Sequence, residues 1–303
     1  MPYSNYRGRF APSPTGPLHF GSLVAALGSY LEARTRGGAW LVRMEDLDRP
    51  RVAPGAADAI LRALDAYGFE WDEEVMYQSA RQDAYASALA LLEHRQAVFP
   101  CACARKEIAD SVLSLRGEPV YPGTCRNGLA PGKSRRAIRV LVEEREEIGF
   151  DDVVQGRFAQ MLASDVGDFV VRRADGLFAY QLAVVVDDAE QRITDVVRGA
   201  DLLLSTPRQI LLQRLLDLPT PRYLHLPVAL TGAGEKLSKQ TLARPLAAAD
   251  APTRLWDALL FLGQAPPSAL ARGSLRDIWS WAHTRWSADA IPRQRGMPSP
   301  EHS

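Results

Sequence analysis

The run from Tyr6 to Gly38 constrains the fold of this chain more than any other stretch. Tyr6 to Ala11 reads as a short buried strand. Pro12, Pro14, Gly16 and Pro17 then forbid helix and fix a rigid turn. From Gly21 onward Leu23, Leu27, Tyr30 and Leu31 recur at helical spacing, up to Gly37-Gly38. His19, Gly21 and Ser22 therefore sit at a strand-to-helix junction. A helix N-terminus at that point offers free N–H groups and a positive dipole end to a phosphate. Gly21 lets a base or ribose approach the backbone closely, and His19 can donate to a phosphate oxygen. Taken alone, the stretch equally fits a Pro-rich turn capped by Ser22 with a surface histidine.

A second stretch, Gly234-Glu235-Lys236-Leu237-Ser238-Lys239-Gln240, is a glycine-bounded loop with two lysines around a serine. Two ammonium groups on a mobile loop suit a departing pyrophosphate, whose charge must be stabilised as it leaves. Alone, this too fits a solvated basic loop. In this order, the two stretches together point to a nucleotide site that activates a carboxylate with ATP.

Between them, strand-like and helical runs alternate. Trp40 to Met44 reads as a strand, and Ala56 to Tyr67 and Arg81 to His94 read as helices. That order favours a parallel sheet with the ligand at the strand C-termini. Phe99 to Arg136 breaks the pattern with Pro, Gly and all three cysteines and reads as an insert. Phe169 to Tyr180 reads as a hairpin turning at Asp175-Gly176. Ile193 to Val197 reads as a strand and Pro207 to Leu216 as a helix. Two amphipathic helical runs follow, Thr253 to Leu262 and Leu275 to Trp286, and Ile291 to Ser303 reads as disordered.

Composition bounds the class. A chain of 303 residues can bury a substantial core. No run of about 18 apolar residues marks a membrane span, and the N-terminus lacks the features of a signal peptide. Three cysteines imply a cytoplasmic protein without a disulfide framework. The 36 basic and 36 acidic residues cancel, which argues against indiscriminate nucleic-acid binding. A local patch is permitted, with Arg135, Arg136, Arg139, Arg172 and Arg173 as candidates. Cys101, Cys103 and Cys125 supply three thiols where a zinc site wants four ligands. Free thiols and a metal site both fit this spacing, and His94 and Tyr121 are candidates for a fourth ligand.

The two signature stretches resemble those of the class I aminoacyl-tRNA synthetases, specifically the glutamyl branch. His19-Phe20-Gly21-Ser22 and Lys236-Leu237-Ser238-Lys239-Gln240 stand where that class has its two motifs, departing from them at Ser22 and Gln240. Arg9 to Gly16, Arg43 to Asp48, Tyr180 to Asp188, Val197 to Asp201 and Thr206 to Gln209 resemble glutamyl and glutaminyl enzymes in particular. Only 64 residues follow Lys239, so a large anticodon-binding region is not expected. The chain thus resembles the truncated paralogues that attach glutamate to the queuosine base in the anticodon of tRNA(Asp).

The resemblance implies an α/β fold. The first half of a Rossmann-like catalytic domain would span 1–98, a zinc-binding segment 99–136, the remainder of the insertion and the second half of the catalytic domain 137–245, a short helical region 246–290 and a tail 291–303. It assigns Arg9, Ser13, Glu45, Tyr180 and Arg198 to a glutamate pocket. In chemical terms Glu45 suits the α-ammonium, and a guanidinium from Arg9 or Arg198 suits the side-chain carboxylate. It assigns His19, Gly21, Ser22, Lys236, Ser238 and Lys239 to ATP, with His19, Lys236 and Lys239 as the catalytic set. It also implies Mg2+ on the phosphates, one structural Zn2+ on Cys101, Cys103, Tyr121 and Cys125, a monomer and no membrane. Three other readings remain open: a truncated glutamyl-tRNA synthetase acting on tRNA 3′ ends, another nucleotidyltransferase, and a catalytically dead paralogue. The Lys236 and Lys239 pair weighs against the last, and the set of Arg9, Glu45 and Arg198 weighs against the second.

Overall fold

The structure is a computed structural model that describes residues 6–109, 120–145, 147–237 and 244–300. The strands are β1 (Arg7–Phe10), β2 (Ala39–Met44), β3 (Met76–Tyr77), β4 (Val98–Cys101), β5 (Ala137–Val140), β6 (Glu147–Asp152), β7 (Gly156–Met161), β8 (Val170–Arg172), β9 (Asp195–Gly199), β10 (Arg222–Leu226), β11 (Val228–Leu230) and β12 (Gly296–Pro298). The helices are α1 (Phe20–Thr35), α2 (Ala56–Ala66), α3 (Gln82–His94), α4 (Arg105–Ala109), α5 (Leu162–Asp165), α6 (Tyr180–Glu190), α7 (Thr206–Leu215), α8 (Ala251–Phe261) and α9 (Leu275–Arg285).

β1, β2 and β3 run parallel in that order, and β9, β10 and β6 form a second parallel set. The Thr194 N–H donates to the Arg7 carbonyl at 3.0 Å, which lays β9 beside β1. The result is the α/β arrangement expected from the alternating pattern, with β1 at the centre and the strand C-termini opening to one side.

Burial explains why α1 seats where it does. Trp40 on β2 is fully buried, stacks on Phe10 and Phe69, and meets the Tyr30 edge from α1. Truncating a buried tryptophan of this kind typically costs about 3–5 kcal/mol. Gly28 lets α1 settle on the sheet, because a Cβ there would lie 2.6 Å from Leu226 Cδ1. The other face of α1 is covered by α8 and α9, whose Leu255, Leu259 and Ile278 join the same core. A second core, with Leu182, Val184, Val196 and Tyr223, lies between α6, α7 and the other half of the sheet.

The insert hangs between two paired strands. β4 and β5 are antiparallel neighbours, and β8 completes their small sheet. The chain between Cys101 and Ala137 therefore leaves and returns at one place. Its own buried cluster is small: Phe99, Cys101, Ala102, Tyr121 and Cys125.

Two expectations need correcting. The segment from Ile291 onward is built, not disordered, as far as Pro300; residues 301–303 lie outside the described residues. β12 pairs parallel with β11, and Ile291 and Ser299 are buried. Its Pro and Arg content reads as a tail, but backbone pairing supplies the order: Val228 N–H to the Arg295 carbonyl at 3.0 Å and Ser299 N–H to the Leu230 carbonyl at 2.9 Å. The expected hairpin is also shorter than drawn. It turns at Asp175-Gly176 and bridges Arg172 to Phe178, but Tyr180 leaves it as the first residue of α6.

Candidate active site

Arg9, Glu45 and Arg198 stand at or just beyond the C-terminal ends of β1, β2 and β9, three neighbouring parallel strands. This is where a doubly wound sheet places its ligand. Tyr180 joins them from the first residue of α6, with its hydroxyl 3.4 Å from an Arg198 terminal nitrogen. Ser13 lies in the exposed turn after β1, its carbonyl accepting from Thr15 N–H at 2.8 Å.

The charges in this pocket are tightly partnered. Arg9 Nε donates to Asp188 Oδ1 at 3.0 Å, and fully buried Arg43 reaches the same oxygen at 2.8 Å. Arg43 also lies 3.4 Å from Glu45 Oε1. Burial alone would raise the Asp188 carboxyl, but Arg9 and Arg43 hold it below the usual carboxylate range. Glu45 goes the other way: burial pushes its carboxyl up, and Arg43 and Arg9 only partly oppose that. Burial likewise raises the Tyr180 phenol, opposed by Arg198. Asp188 and Arg43 were not singled out in the sequence, although both lie inside the quoted blocks.

Arg198 is held on several sides at once. Its Nε donates to His225 Nε2 at 3.1 Å, and one terminal nitrogen donates to Thr206 Oγ1 and Gln209 Oε1, both at 2.8 Å. The other terminal nitrogen faces Tyr180. Arg9 gives Nε and one terminal nitrogen to Asp188, and Arg198 keeps a donor on the nitrogen beside Tyr180, so both guanidinium candidates retain N–H groups for a ligand carboxylate.

The two signature stretches meet. His19 is the N-cap residue of α1, and its carbonyl accepts from Leu23 N–H at 3.0 Å. His19 bridges to Pro245, and Leu246 N–H donates to the Leu18 carbonyl at 2.9 Å, so the chain after the second stretch returns to the first. On the other side, Lys236 bridges to Leu230 of β11, and Leu237 N–H donates to the Ala229 carbonyl at 2.7 Å. A Cβ on Gly21 would meet the His19 ring at 3.2 Å and the Leu237 carbonyl at 3.7 Å, so glycine keeps this junction open. Ser22 follows in the first turn of α1. Lys236 lies 2.5 Å from Asp201 Oδ2 and is half exposed. Ser238 and Lys239 lie outside the described residues.

A separate constellation occupies the insert. The Sγ atoms of Cys101, Cys103 and Cys125 lie within 4.8 Å of one another. The Tyr121 hydroxyl stands 3.5 Å from Cys101 Sγ and 3.8 Å from Cys103 Sγ. Tetrahedral zinc with thiolates at about 2.3 Å needs sulfurs close together in this way, so the donor set fits a metal. Arg139 Nε donates to Cys101 Sγ at 3.3 Å and its guanidinium stacks on the Tyr121 ring. Burial raises the Cys101 thiol, but Tyr121 and Arg139 outweigh it and favour thiolate. His94 is exposed at the end of α3 and is not among the clustered ligands.

Of the basic candidates for an RNA patch, Arg139 is buried against the cysteine cluster and Arg173 is paired with Asp48 and Asp175. Arg135 and Arg136 remain exposed. Among the described residues no helix is long and apolar enough to cross a membrane.

Comparison with known proteins agrees with this geometry. Residues 5–259 match the family model for the catalytic domain of class I tRNA synthetases (E and Q). The glutamyl-Q tRNA(Asp) synthetase of Dechloromonas aromatica is 64% identical over 293 residues, covering 96% of this chain and 97% of that protein. The protein of the same name from Chromobacterium violaceum is 57% identical, covering 95% of each. Among solved structures, the glutamate-tRNA synthetase of Elizabethkingia anophelis superposes with a TM-score of 0.79 at 23% identity. That match covers 97% of this chain and 68% of that one, and it bears on the fold alone. Strand-end charges, joined signature turns and matches along nearly the whole length converge: the chain belongs to the class I synthetase superfamily and, within it, to the ATP-using, ligase-type glutamyl-Q tRNA(Asp) synthetase family.

Proposed function

We propose that this chain activates L-glutamate with ATP and transfers the glutamyl group to the queuosine base in the anticodon of tRNA(Asp). The reading is carried by Glu45 and Arg198 at the ends of β2 and β9, with the Tyr180 hydroxyl from α6 on Arg198, and by the first signature stretch, which opens α1 at His19 and brings Gly21 toward the Leu237 carbonyl of the second. The Arg198 edge and the Tyr180 hydroxyl take the substrate's side-chain carboxylate. Glu45 takes its α-ammonium, and Ser13 lies on the turn bordering that end.

This leaves the α-carboxylate directed at the His19–Gly21–Ser22 turn, where ATP lies. A carboxylate oxygen attacks the α-phosphorus, the bond from that phosphorus to the bridging oxygen breaks, and pyrophosphate departs. No protein nucleophile is needed; catalysis is positioning plus stabilisation of spreading negative charge. His19, Lys236 and Lys239 supply that stabilisation, with Lys236 exchanging Asp201 for phosphate, and Ser238 lies on the same loop. Mg2+ bound with ATP would supply charge shielding for its phosphates. A queuosine hydroxyl then attacks the acyl carbonyl, and AMP leaves.

Cys101, Cys103, Tyr121 and Cys125 would hold one zinc ion, which supplies a structural crosslink for an insert with little core of its own. We read the enzyme as a cytoplasmic monomer.

The deciding experiment charges purified tRNA(Asp), with and without queuosine, using labelled glutamate. Label should enter only the queuosine-containing tRNA and should survive removal of the 3′ terminal nucleotide. Label on the 3′ end would instead identify a truncated glutamyl-tRNA synthetase.

A further inference from the structure

His225 and Asp152 lie 73 positions apart and belong to no signature motif, yet they form the buried floor beneath Arg198. The sheet register makes them neighbours: His225 of β10 pairs with Arg198 of β9, and Tyr223 of β10 pairs with Asp152 at the end of β6. Both side chains are fully shielded from solvent.

The hydrogen bonds fix every proton in this group. Asp152 Oδ1 accepts three backbone N–H groups, from Val154 at 3.0 Å, Gln155 at 2.9 Å and His225 at 3.1 Å. Oδ2 lies 2.6 Å from His225 Nδ1. A carboxylate so surrounded by donors is ionised and only accepts. Nδ1 must then carry the proton. A neutral ring leaves Nε2 as an acceptor, and Nε2 is the atom that meets Arg198 Nε–H at 3.1 Å. Thr206 Oγ1 lies 3.2 Å from the same nitrogen. A proton on Nε2 would set donor against donor and, in a charged ring, cation against cation. Burial lowers the imidazole to about 4, with the Arg198 charge acting in the same direction against the pull of Asp152, which agrees with a neutral ring.

Arg198 thus has Nε on His225 and one terminal nitrogen on Thr206 and Gln209. Of its five donors, four are engaged once Tyr180 is included, and the one left over is on the terminal nitrogen beside Tyr180. We propose that Asp152 and His225 are a positioning pair: Asp152 sets the His225 tautomer, and His225 aims the Arg198 guanidinium at the substrate's side-chain carboxylate. The proposal rests on the reading of Arg198 as the group that recognises that carboxylate.

Asp152→Asn is the sharpest test, because it keeps the shape and reverses the proton. The backbone N–H groups hold the amide oxygen, its NH2 then faces Nδ1, the ring must carry its proton on Nε2, and Arg198 loses its acceptor. The same logic of an enforced wrong tautomer applies to a His–Asp pair in general. In glutamate-dependent ATP–pyrophosphate exchange, Asp152→Asn should raise KM for glutamate by about ten- to hundredfold, the usual worth of a hydrogen bond to a charged group. KM for ATP should stay within about twofold. His225→Gln retains an acceptor near the Nε2 position, so its rise in glutamate KM should be smaller than that of Asp152→Asn. Glutamate KM unchanged in Asp152→Asn, or both KM values raised alike, would overturn the proposal.

Arg198→Lys separates the two levels. If it raises glutamate KM while Asp152→Asn does not, the positioning role fails and the Arg198 assignment stands. If it leaves glutamate KM unchanged, the assignment and the positioning role fall together. Should Asp152→Asn not fold, the ring 15N shifts of His225 in the unaltered protein decide. A neutral Nδ1–H ring at pH 7 supports the pair, and an Nε2–H ring or an imidazolium overturns it.

Discussion

If Glu45 takes the substrate's α-ammonium as proposed, its titration reaches substrate binding directly. Burial holds its carboxyl above the ordinary carboxylate range in the free protein, with Arg43 and Arg9 opposing. Only the ionised form can take an α-ammonium. KM for glutamate should therefore rise as pH falls through that raised value, and Glu45→Gln should remove this dependence while raising KM throughout, by about ten- to hundredfold. A pH profile of glutamate KM in pyrophosphate exchange tests it, and a flat profile in the unaltered protein would refute the role.

His225 gives a stability prediction of defined sign. Its native value, about 4, lies below its ordinary 6.5, so the unfolded chain takes up a proton first as pH falls. Its contribution is complete above about pH 6.5 and is lost progressively toward about pH 4, by at most about 3 kcal/mol. Asp152, held below its ordinary value by His225 and backbone N–H groups despite burial, adds a further loss at still lower pH. Urea midpoints at pH 7.5 and 5 should differ, and His225→Gln should narrow the gap; an equal gap in the variant would exclude His225 as the cause. At this scale the sequence discloses Arg9, Glu45, Tyr180 and Arg198 through the blocks that contain them. It is silent on Asp152 and His225, because their chemistry arises only when β6, β9 and β10 come into register.

Among the elements, the long helices α1, α2, α3, α7, α8 and α9 and the strands β1, β2 and β9 were readable, while α4, α5, α6 and the remaining strands were not, β8 apart, which fell within the expected hairpin. α1 follows the spacing of Leu23, Leu27 and Leu31, all buried. The β6–β7 hairpin does alternate, with Ile148, Phe150 and Phe158 buried, but over too few residues to stand out, and β12 has no alternation: Gly296-Met297-Pro298 becomes a strand because β11 offers an edge. That edge matters for the site, since β11 leads directly into Lys236. The Gln155 side chain fastens the arrangement by donating to the carbonyls of both His225 and Gln294 at 3.0 Å. Deleting residues 292–303 should therefore lower kcat for pyrophosphate exchange more than it raises glutamate KM. Equal loss in both, or no loss, would show that β12 does not frame the loop.

The insert makes a second element-scale prediction. With few apolar residues of its own to bury, it depends on its proposed metal. Cys125→Ser should lose the roughly one zinc per chain expected for the site, and hydrogen exchange should quicken between β4 and β5 before it quickens in α1. Elemental analysis finding no zinc in unaltered protein prepared without chelators would count against the site.

For the whole molecule, Arg9, Glu45 and Arg198 of the proposed glutamate site lie at the ends of β1, β2 and β9, whereas the exposed Arg135 and Arg136 lie on the insert. Activation should therefore proceed without RNA: glutamate-dependent pyrophosphate exchange is expected with the protein alone, and its absence until tRNA is added would show that RNA completes the site. Exchange should also respond little to KCl, while transfer to tRNA weakens with salt as phosphate contacts are screened. The parallel sheet was legible from alternation alone. The union of its halves was not, because it rests on the Thr194 contact to Arg7.

The pairing of β11 with β12 also sets an order of events in the cell. A ribosome delivers the chain from its N-terminus. The strand that launches the signature loop emerges long before its partner and waits while α8 and α9 are made and docked. Framing of the loop thus falls among the last acts of synthesis, after the bulk of both cores has been translated. A nascent or prematurely ended chain can lay down most of the sheet and still lack the partner strand beside β11, from which the second signature stretch sets out.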